Sequence, residues 1–289
     1  VLGEPNSIFS ETLFKYFCSK KFKKNKKKIV LIGCKNLLQK QMKKLKYKLS
    51  FNEISDLNQS KKNKINIINI EYKFKKTFNK ISNKSNKYIK SCFELSFKIL
   101  KKNKSIGMIN GPISKMHFLK KKYPGITEYI ANKTNTKKEV MLIYNEKLSV
   151  SPITTHIPLK HVNKYIKRKK IIDNISNIQN FFKKKLKKNP RFAVLGLNPH
   201  CETTDKISEE KNEIIPAIKY LKSKSFNISG PFSADTFFSS KNLNKYNVVV
   251  GMYHDQVLTP MKMLYNFNAI NLTIGLPFVR VTPDHGPNY

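Results

Sequence analysis

Tryptophan is absent from this 289-residue chain, glycine occurs only 10 times, and arginine occurs only as Arg168, Arg191 and Arg280. The glycine shortage leaves no GxGxxG and no GxxxxGKS or GxxxxGKT, so neither a Rossmann turn nor a P-loop is supported. The four cysteines, Cys18, Cys34, Cys92 and Cys201, show no CxxC or disulfide-like spacing. That pattern fits a reduced, cytoplasmic compartment. No apolar run reaches membrane-spanning length and no signal-peptide core is present, so no membrane role is expected.

Acidic residues are also few, 18 against 57 basic ones, for a formal net charge of +39. Such a charge first suggests nucleic acid, but groove readers favour arginine for bidentate base contacts. Here almost every cation is a lysine, and asparagine is frequent, a skew that A/T-rich codons produce without selection for a partner. The charge is uneven as well. Residues 191–289 hold 10 basic and 8 acidic side chains, a net +2, which leaves +37 for residues 1–190. The runs Lys20–Lys28, Lys167–Lys170 and Lys183–Lys188 therefore read as solvated helix faces and loops. Nonspecific attraction to polyanions is expected, and a specific nucleic-acid partner is not.

What is present is an alternation of strand-like and helix-like runs. Strands are expected at Lys28–Gly33, Ser105–Ile109, Val140–Tyr144, Leu148–Thr154, Phe192–Leu197, Val248–Met252 and Ala269–Ile274. Helices are expected over about Lys35–Lys46, through Ile89, Cys92, Phe93, Phe97 and Leu100, and over Ile175–Lys188 and Glu209–Lys224. A short turn is expected at Ala234–Ser239. Residues 48–88 read as flexible loops around a strand near Ile65–Ile70. The alternation predicts an α/β fold with a largely parallel sheet, and the length suits two lobes.

Three of the six histidines sit at or just past strand ends, in Thr154-Thr155-His156-Ile157-Pro158, Leu197-Asn198-Pro199-His200 and Met252-Tyr253-His254-Asp255-Gln256. Ligands bind at such ends in open α/β sheets. Three imidazoles without a fourth protein ligand suit a catalytic divalent metal with a position left for substrate. A single histidine at a strand end is more often a hydrogen-bonded structural residue, and His117, His161 and His285 lack supporting context. Asp255 follows His254, and Asp235 lies in Gly230-Pro231-Phe232-Ser233-Ala234-Asp235-Thr236; either carboxylate can orient a ligand or move a proton. A helix cap is the plainer reading of Asp235, as it is of Thr127 in Gly125-Ile126-Thr127-Glu128. The Gly111–Lys115 turn leads toward a helix N-terminus able to receive an anion. Lys262, Asn271 and Arg280 flank the strand Ala269–Ile274 and together suit a phosphate or carboxylate.

Taken in order, NGPISK at 110–115, GITE at 125–128, TTHIPL at 154–159, LNPH at 197–200, GPFSADTFF at 230–238, MYHDQ at 252–256 and NLTIGLPFVR with DHG at 271–286 resemble the 4-hydroxythreonine-4-phosphate dehydrogenase family of vitamin B6 biosynthesis. The resemblance implies a two-lobed fold like that of isocitrate and isopropylmalate dehydrogenases, with an active-site cleft between lobes. Residues 1–115 with 266–289 would form one lobe, and residues 116–265 the other, which carries the histidines. It further implies a homodimer with a shared active site, and NAD (or NADP) bound without the Rossmann glycines. His156, His200 and His254 would hold a divalent metal (zinc, magnesium or cobalt), one of them supplied across the dimer interface. Thr127, Lys262, Asn271 and Arg280 would contact a small phosphorylated hydroxy amino acid, with Asp235 and Asp255 beside the metal. The oxidised product would be a β-keto acid that loses its carboxylate to give 3-amino-2-oxopropyl phosphate.

The chain departs from the family pattern at several points. The glycine-rich GDPxGIGPE opening stands here as Gly3-Glu4-Pro5-Asn6-Ser7-Ile8-Phe9-Ser10-Glu11, and Ile126 replaces the histidine of GHTE. Cys201-Glu202-Thr203-Thr204 replaces a glycine-containing stretch. The start at Val1 and the stop soon after Asp284-His285-Gly286 read as trimmed or eroded ends. Three rivals follow. One is a same-fold dehydrogenase of a four-carbon phosphosugar acid such as threonate or erythronate 4-phosphate, another is an inactive homologue, and the third, of a different class, is a basic nucleic-acid-binding protein.

Overall fold

The computed structural model describes every residue except 104, 105, 120, 121, 124, 203–207, 240 and 284–289, and the side chains of 241 and 242. Ser105, Thr203, Thr204, Asp284, His285 and Gly286 from the reading above thus lie outside the described residues. In chain order the strands are β1 (Val30–Gly33), β2 (Phe51–Glu53), β3 (Ile65–Asn69), β4 (Met108–Ile109), β5 (Val140–Tyr144), β6 (Ser149–Pro152), β7 (Phe192–Leu195), β8 (Ile228–Phe232), β9 (Val248–Gly251), β10 (Ile270–Ile274) and β11 (Arg280–Thr282). The α-helices are α1 (Phe9–Cys18), α2 (Lys20–Lys24), α3 (Lys35–Lys44), α4 (Asn86–Lys102), α5 (Ile126–Lys133), α6 (Val162–Tyr165), α7 (Arg168–Phe181), α8 (Ile215–Ser223), α9 (Ala234–Phe237) and α10 (His254–Tyr265). The fold is α/β with mostly parallel strand pairing; β10–β5 and β5–β6 run antiparallel.

Val1–Tyr129, joined by the segment from Arg280, forms one compact unit, and Ile130–Val279 forms the other. In the first unit β3 lies between β1 and β2, all parallel. Phe14 and Phe17 of α1, Phe22 of α2 and Leu38 of α3 pack on Leu31, Ile65 and Ile67 of that sheet. Their spacing makes each helix amphipathic: the lysines between them stay in water while one face is buried. The lysine run from Lys20 thus folds as a helix around one apolar anchor, Phe22. In the same unit β4 pairs in parallel with β11, Arg280 opposite Met108.

The second unit carries six strands in the order β10-β5-β6-β9-β7-β8. Strands β6, β7 and β9 are wholly buried; the apolar runs of β7 and β9 suit a sheet covered on both faces, and in β6 the buried Ser151 hydroxyl is satisfied by donating to the Met141 carbonyl (2.7 Å). Leu195 lies in the core they form with Val249, Phe237 and Val257 and is 0% exposed. Leu195→Ala should cost about 2–5 kcal/mol, measurable as a lower urea midpoint at unchanged slope. Helix α7 begins seven residues before the expected Ile175. The Arg168 N–H donates to Glu213 Oε2 (2.6 Å), so a carboxylate distant in sequence caps the helix start. From there Ile171, Ile175 and Ile178 turn one face inward. No helix among the described residues is long and apolar enough to cross a membrane.

Candidate metal and substrate site

The three histidine-bearing turns leave the C-terminal ends of three neighbouring parallel strands: His156 after β6, His254 after β9, and His200 after β7. The His156 and His254 rings stand 5.8 Å apart between centroids, at 40°. An ion about 2 Å from an imidazole nitrogen lies roughly 3 Å from that ring's centroid, so two rings on one tetrahedral ion stand about 5–6 Å apart. The pair therefore fits a shared cation. His254 Nδ1 is 2.7 Å from Asp255 Oδ1. In the tautomer that donates Nδ1–H to that carboxylate, the Nε2 lone pair is left for a metal.

His200 is exposed and has backbone φ 57° and ψ 11°, and Cys201 after it also has positive φ. Among the described residues no three His, Cys, Asp or Glu side chains are grouped so as to hold one ion. Within a single chain, then, the structure brings together two of the expected ligands, not three. Asp235 sits near enough to His200 to feel its charge. Its carboxyl is held below the usual carboxylate range, first by the Ser233 hydroxyl, which donates to Oδ1 (2.6 Å), then by the Thr236 N–H and His200. Ser233, rather than Asp235, precedes α9 as its N-cap residue, and Asp235 lies in the helix's first turn.

Of the four expected substrate contacts, the structure joins two in the first unit. Arg280 is 0% exposed; its Nε donates to Asn110 Oδ1 (2.7 Å) and its Nη1 to Thr127 Oγ1 (3.0 Å). Burial pushes the guanidinium pKa down to about 10, partly countered by the Glu128 carboxylate. Its fork is thus engaged by an amide and a hydroxyl of the protein. In the second unit, Lys262 is exposed on α10 with its Nζ 5.8 Å from the Phe267 ring centroid. Asn271 on β10 is half-buried, and its buried Oδ1 has no hydrogen-bond partner among the described residues. An orphaned buried acceptor of this kind suits a ligand's donor. Ile126, half-buried beside Thr127, offers only apolar surface. The Gly111–Lys115 turn leads into a single π-helical turn, Lys115–Leu119, where Ser114 Oγ meets His117 Nδ1 at 2.9 Å.

The chain matches the family described as pyridoxal phosphate biosynthetic protein PdxA over residues 25–289. The chain belongs to the PdxA family. It is 37% identical over 292 aligned residues to 4-hydroxythreonine-4-phosphate dehydrogenase of Sulfurihydrogenibium, covering 100% of this chain and 89% of that one. It is also 32% identical over 203 residues to D-threonate 4-phosphate dehydrogenase of Pectobacterium atrosepticum, covering 67% of this chain and 62% of that protein. The crystal structure of 4-hydroxythreonine-4-phosphate dehydrogenase from Klebsiella pneumoniae superposes with a TM-score of 0.83 at 26% identity, covering 99% of this chain and 90% of that chain.

Further residues of this PdxA-family chain support the site without standing out in the sequence. Glu210 is 1% exposed, and its Oε1 accepts the N–H groups of Leu197 (2.7 Å) and Asn198 (2.8 Å). Its Oε2 accepts from Asn198 Nδ2 (2.9 Å) and Ser208 Oγ (3.0 Å). Burial pushes this carboxyl up, but the donors from Asn198 and Ser208 outweigh it and hold the group below its ordinary 4.5. A depressed folded-state value means that the carboxylate stabilises the fold above about pH 4.5, and that this contribution fades as pH falls through the folded value. Glu210→Gln should therefore be destabilised at neutral pH, and denaturant titrations should show the gap to the parent narrowing below about pH 4.5.

Proposed function

We propose that this protein oxidises 4-phosphohydroxy-L-threonine with NAD (or NADP), in a reaction dependent on a divalent cation, to a β-keto acid that decarboxylates to 3-amino-2-oxopropyl phosphate for pyridoxal 5′-phosphate synthesis. The observation that carries the reading is the His156–His254 pair at adjacent strand ends, in a chain whose relative over its full length bears that activity's name. His156, His200 and His254 are the proposed ligands of zinc, magnesium or cobalt, with one imidazole contributed by a second copy in a homodimer. That sharing agrees with a single chain's gathering only two of the three rings.

When bound, the cation polarises the substrate hydroxyl and lowers its pKa, and the nicotinamide accepts the hydride. The chain's own part begins with orientation. Asp255 holds the His254 ring through Nδ1, and Asp235, kept ionised by Ser233 and Thr236, presents a fixed negative charge with an acceptor oxygen for a substrate proton. Lys262, Asn271, Thr127 and Arg280 are proposed to bind substrate, with Asn271 Oδ1 receiving a donor and the cations facing the phosphate. No residue is assigned to the nucleotide. A cytoplasmic location suits four thiols without a disulfide, all free among the described residues.

A second reading rests on Ile126 and on the relative that is a D-threonate 4-phosphate dehydrogenase. An apolar side chain beside Thr127 removes one hydrogen-bonding partner and favours a substrate that differs at that contact. The test is NADH formation by metal-loaded protein given each substrate, with a chelated control. A larger kcat/KM for phosphohydroxythreonine, abolished by chelator, supports the first reading. A larger value for threonate 4-phosphate moves the assignment to the second. No turnover of either by folded, metal-loaded protein overturns both.

A further inference from the structure

The histidine turns are laced to one another by the side chains of Thr154, Gln256 and Glu210. Thr154, two residues before His156, donates its hydroxyl to the Met252 carbonyl (2.7 Å), which also receives the Thr154 N–H (3.1 Å). Gln256 Oε1 accepts the Met252 N–H (2.7 Å), while its Nε2 donates to the Gly196 carbonyl (2.8 Å). Next along the chain from Gly196, the N–H groups of Leu197 and Asn198 enter the Glu210 carboxylate. One continuous path thus runs from the His156 turn through the His254 turn to the His200 turn.

The last link has the most to hold. His200 and Cys201 both have left-handed backbone, a conformation that costs a non-glycine residue energy and persists only where neighbours impose it. The packing there is close. A Cβ on Gly196 would meet Cys201 Sγ at 2.7 Å and Glu210 Oε1 at 3.2 Å, so any larger residue there would push on both the turn and the carboxylate. Glu210 receives donors from two backbone amides, one side-chain amide and one hydroxyl, which supplies the hydrogen bonds that a buried carboxylate needs.

We propose that Glu210 is a positioning residue, whose carboxylate fixes the Leu197–His200 turn and, through Gly196 and Gln256, sets that turn against the one bearing His254. The proposal rests on the reading of His156, His200 and His254 as metal ligands. It deepens that reading by naming what aims them. Groups that orient ligands in this way typically contribute 10–100-fold to metal affinity or activity.

The test measures Co(II) affinity by competition with a chromophoric chelator, the intensity of the Co(II) ligand-field band, and far-UV circular dichroism with thermal melting. The proteins are the parent, Glu210→Gln, Gln256→Met and His254→Ala. Glu210→Gln keeps the shape but turns an NH₂ toward the donors of Asn198 and Ser208. It should bind Co(II) about 10–100-fold more weakly, with an altered band, while its circular dichroism stays that of the parent. Gln256→Met removes the link between turns at similar volume and should weaken binding in the same direction. The double variant should lose less than the product of the two single effects, because both act through one turn.

A folded Glu210→Gln protein with parental Co(II) affinity, beside a His254→Ala protein that has lost it, overturns the proposal and leaves the metal reading intact. Parental affinity in His254→Ala overturns the metal reading itself. Should Glu210→Gln fail to fold, Gln256→Met decides: weaker Co(II) binding supports the brace, and unchanged binding ends it.

Discussion

His254→Ala is expected to abolish divalent-metal binding and turnover while leaving the fold nearly unchanged. The ring is about one-third exposed at the start of α10, its polar contact is to an Asp255 carboxylate still more open to water, and it lies outside the apolar cluster around Val257, Leu258 and Met261. Removing it therefore opens no cavity in the core, and the stability change should stay within about 0.5 kcal/mol, as for an ordinary surface substitution. The functional loss should be far larger, because it removes a proposed ligand itself rather than a group behind one. The fall in kcat should exceed the ~10–100-fold typical of a supporting residue. Turnover rates with and without added cation, read beside a thermal melt, check both halves. Unchanged kcat in the variant would remove His254 from the chemistry.

Arg280→Lys is expected to damage stability and substrate affinity together. Arginine reaches Asn110 Oδ1 through Nε and Thr127 Oγ1 through Nη1 at the same time. One ammonium on a flexible stem cannot meet both positions, so the substitution leaves at least one buried acceptor without its donor. Each such loss costs about 1–3 kcal/mol. For a chain of this size that corresponds to a fall in Tm of roughly 2–4 °C per kcal/mol. Because Thr127 and Arg280 share a hydrogen bond, displacing one displaces the other, and KM should rise more than kcat falls. A lowered Tm with KM unchanged would make Arg280 a structural residue and withdraw it from substrate binding. Asn110→Leu, which removes the Nε acceptor without touching the arginine, should shift Tm in the same direction.

The sequence was legible wherever a single element decides the outcome. The buried strands Val140–Tyr144, Phe192–Leu195 and Val248–Gly251 are apolar runs bounded by polar residues, and they fold where those runs stand. Strands β2 and β11 are three residues each, too short for a period to register, and β8 hides behind Gly230-Pro231. Helix α10 begins within the MYHDQ motif and contains Pro260, both of which read as loop, yet Val257, Leu258 and Met261 bury one face. The opening segment held a comparable surprise: Phe14 and Phe17 anchor α1 directly after a stretch whose family counterpart is rich in glycine.

At the site, the histidines were visible because each follows the C-terminal end of a strand. The side chains that brace them were not. Thr154 and Gln256 lay inside quoted motifs without a role, and Asn110 sat in NGPISK as one polar residue of a turn. Glu210 lay in a lysine- and glutamate-rich helical stretch, where a carboxylate reads as solvated. Its partners Leu197 and Asn198 are brought to it only when β7 and the helix after it pack together. Hydrogen bonds across turns belong to tertiary structure and leave no periodic trace.

The outer position of β8 bears on how this protein behaves at high concentration. Among the described strands β8 pairs on one side only, with β7, and so presents an open edge of the kind to which another chain's strand can add. The register of β8 against β7 shifts between Ser229 and Phe232, and within that irregular stretch Pro231 has no N–H to offer an incoming strand. The proline that hides this strand from the sequence pattern thus also blunts it as a template for edge-to-edge pairing.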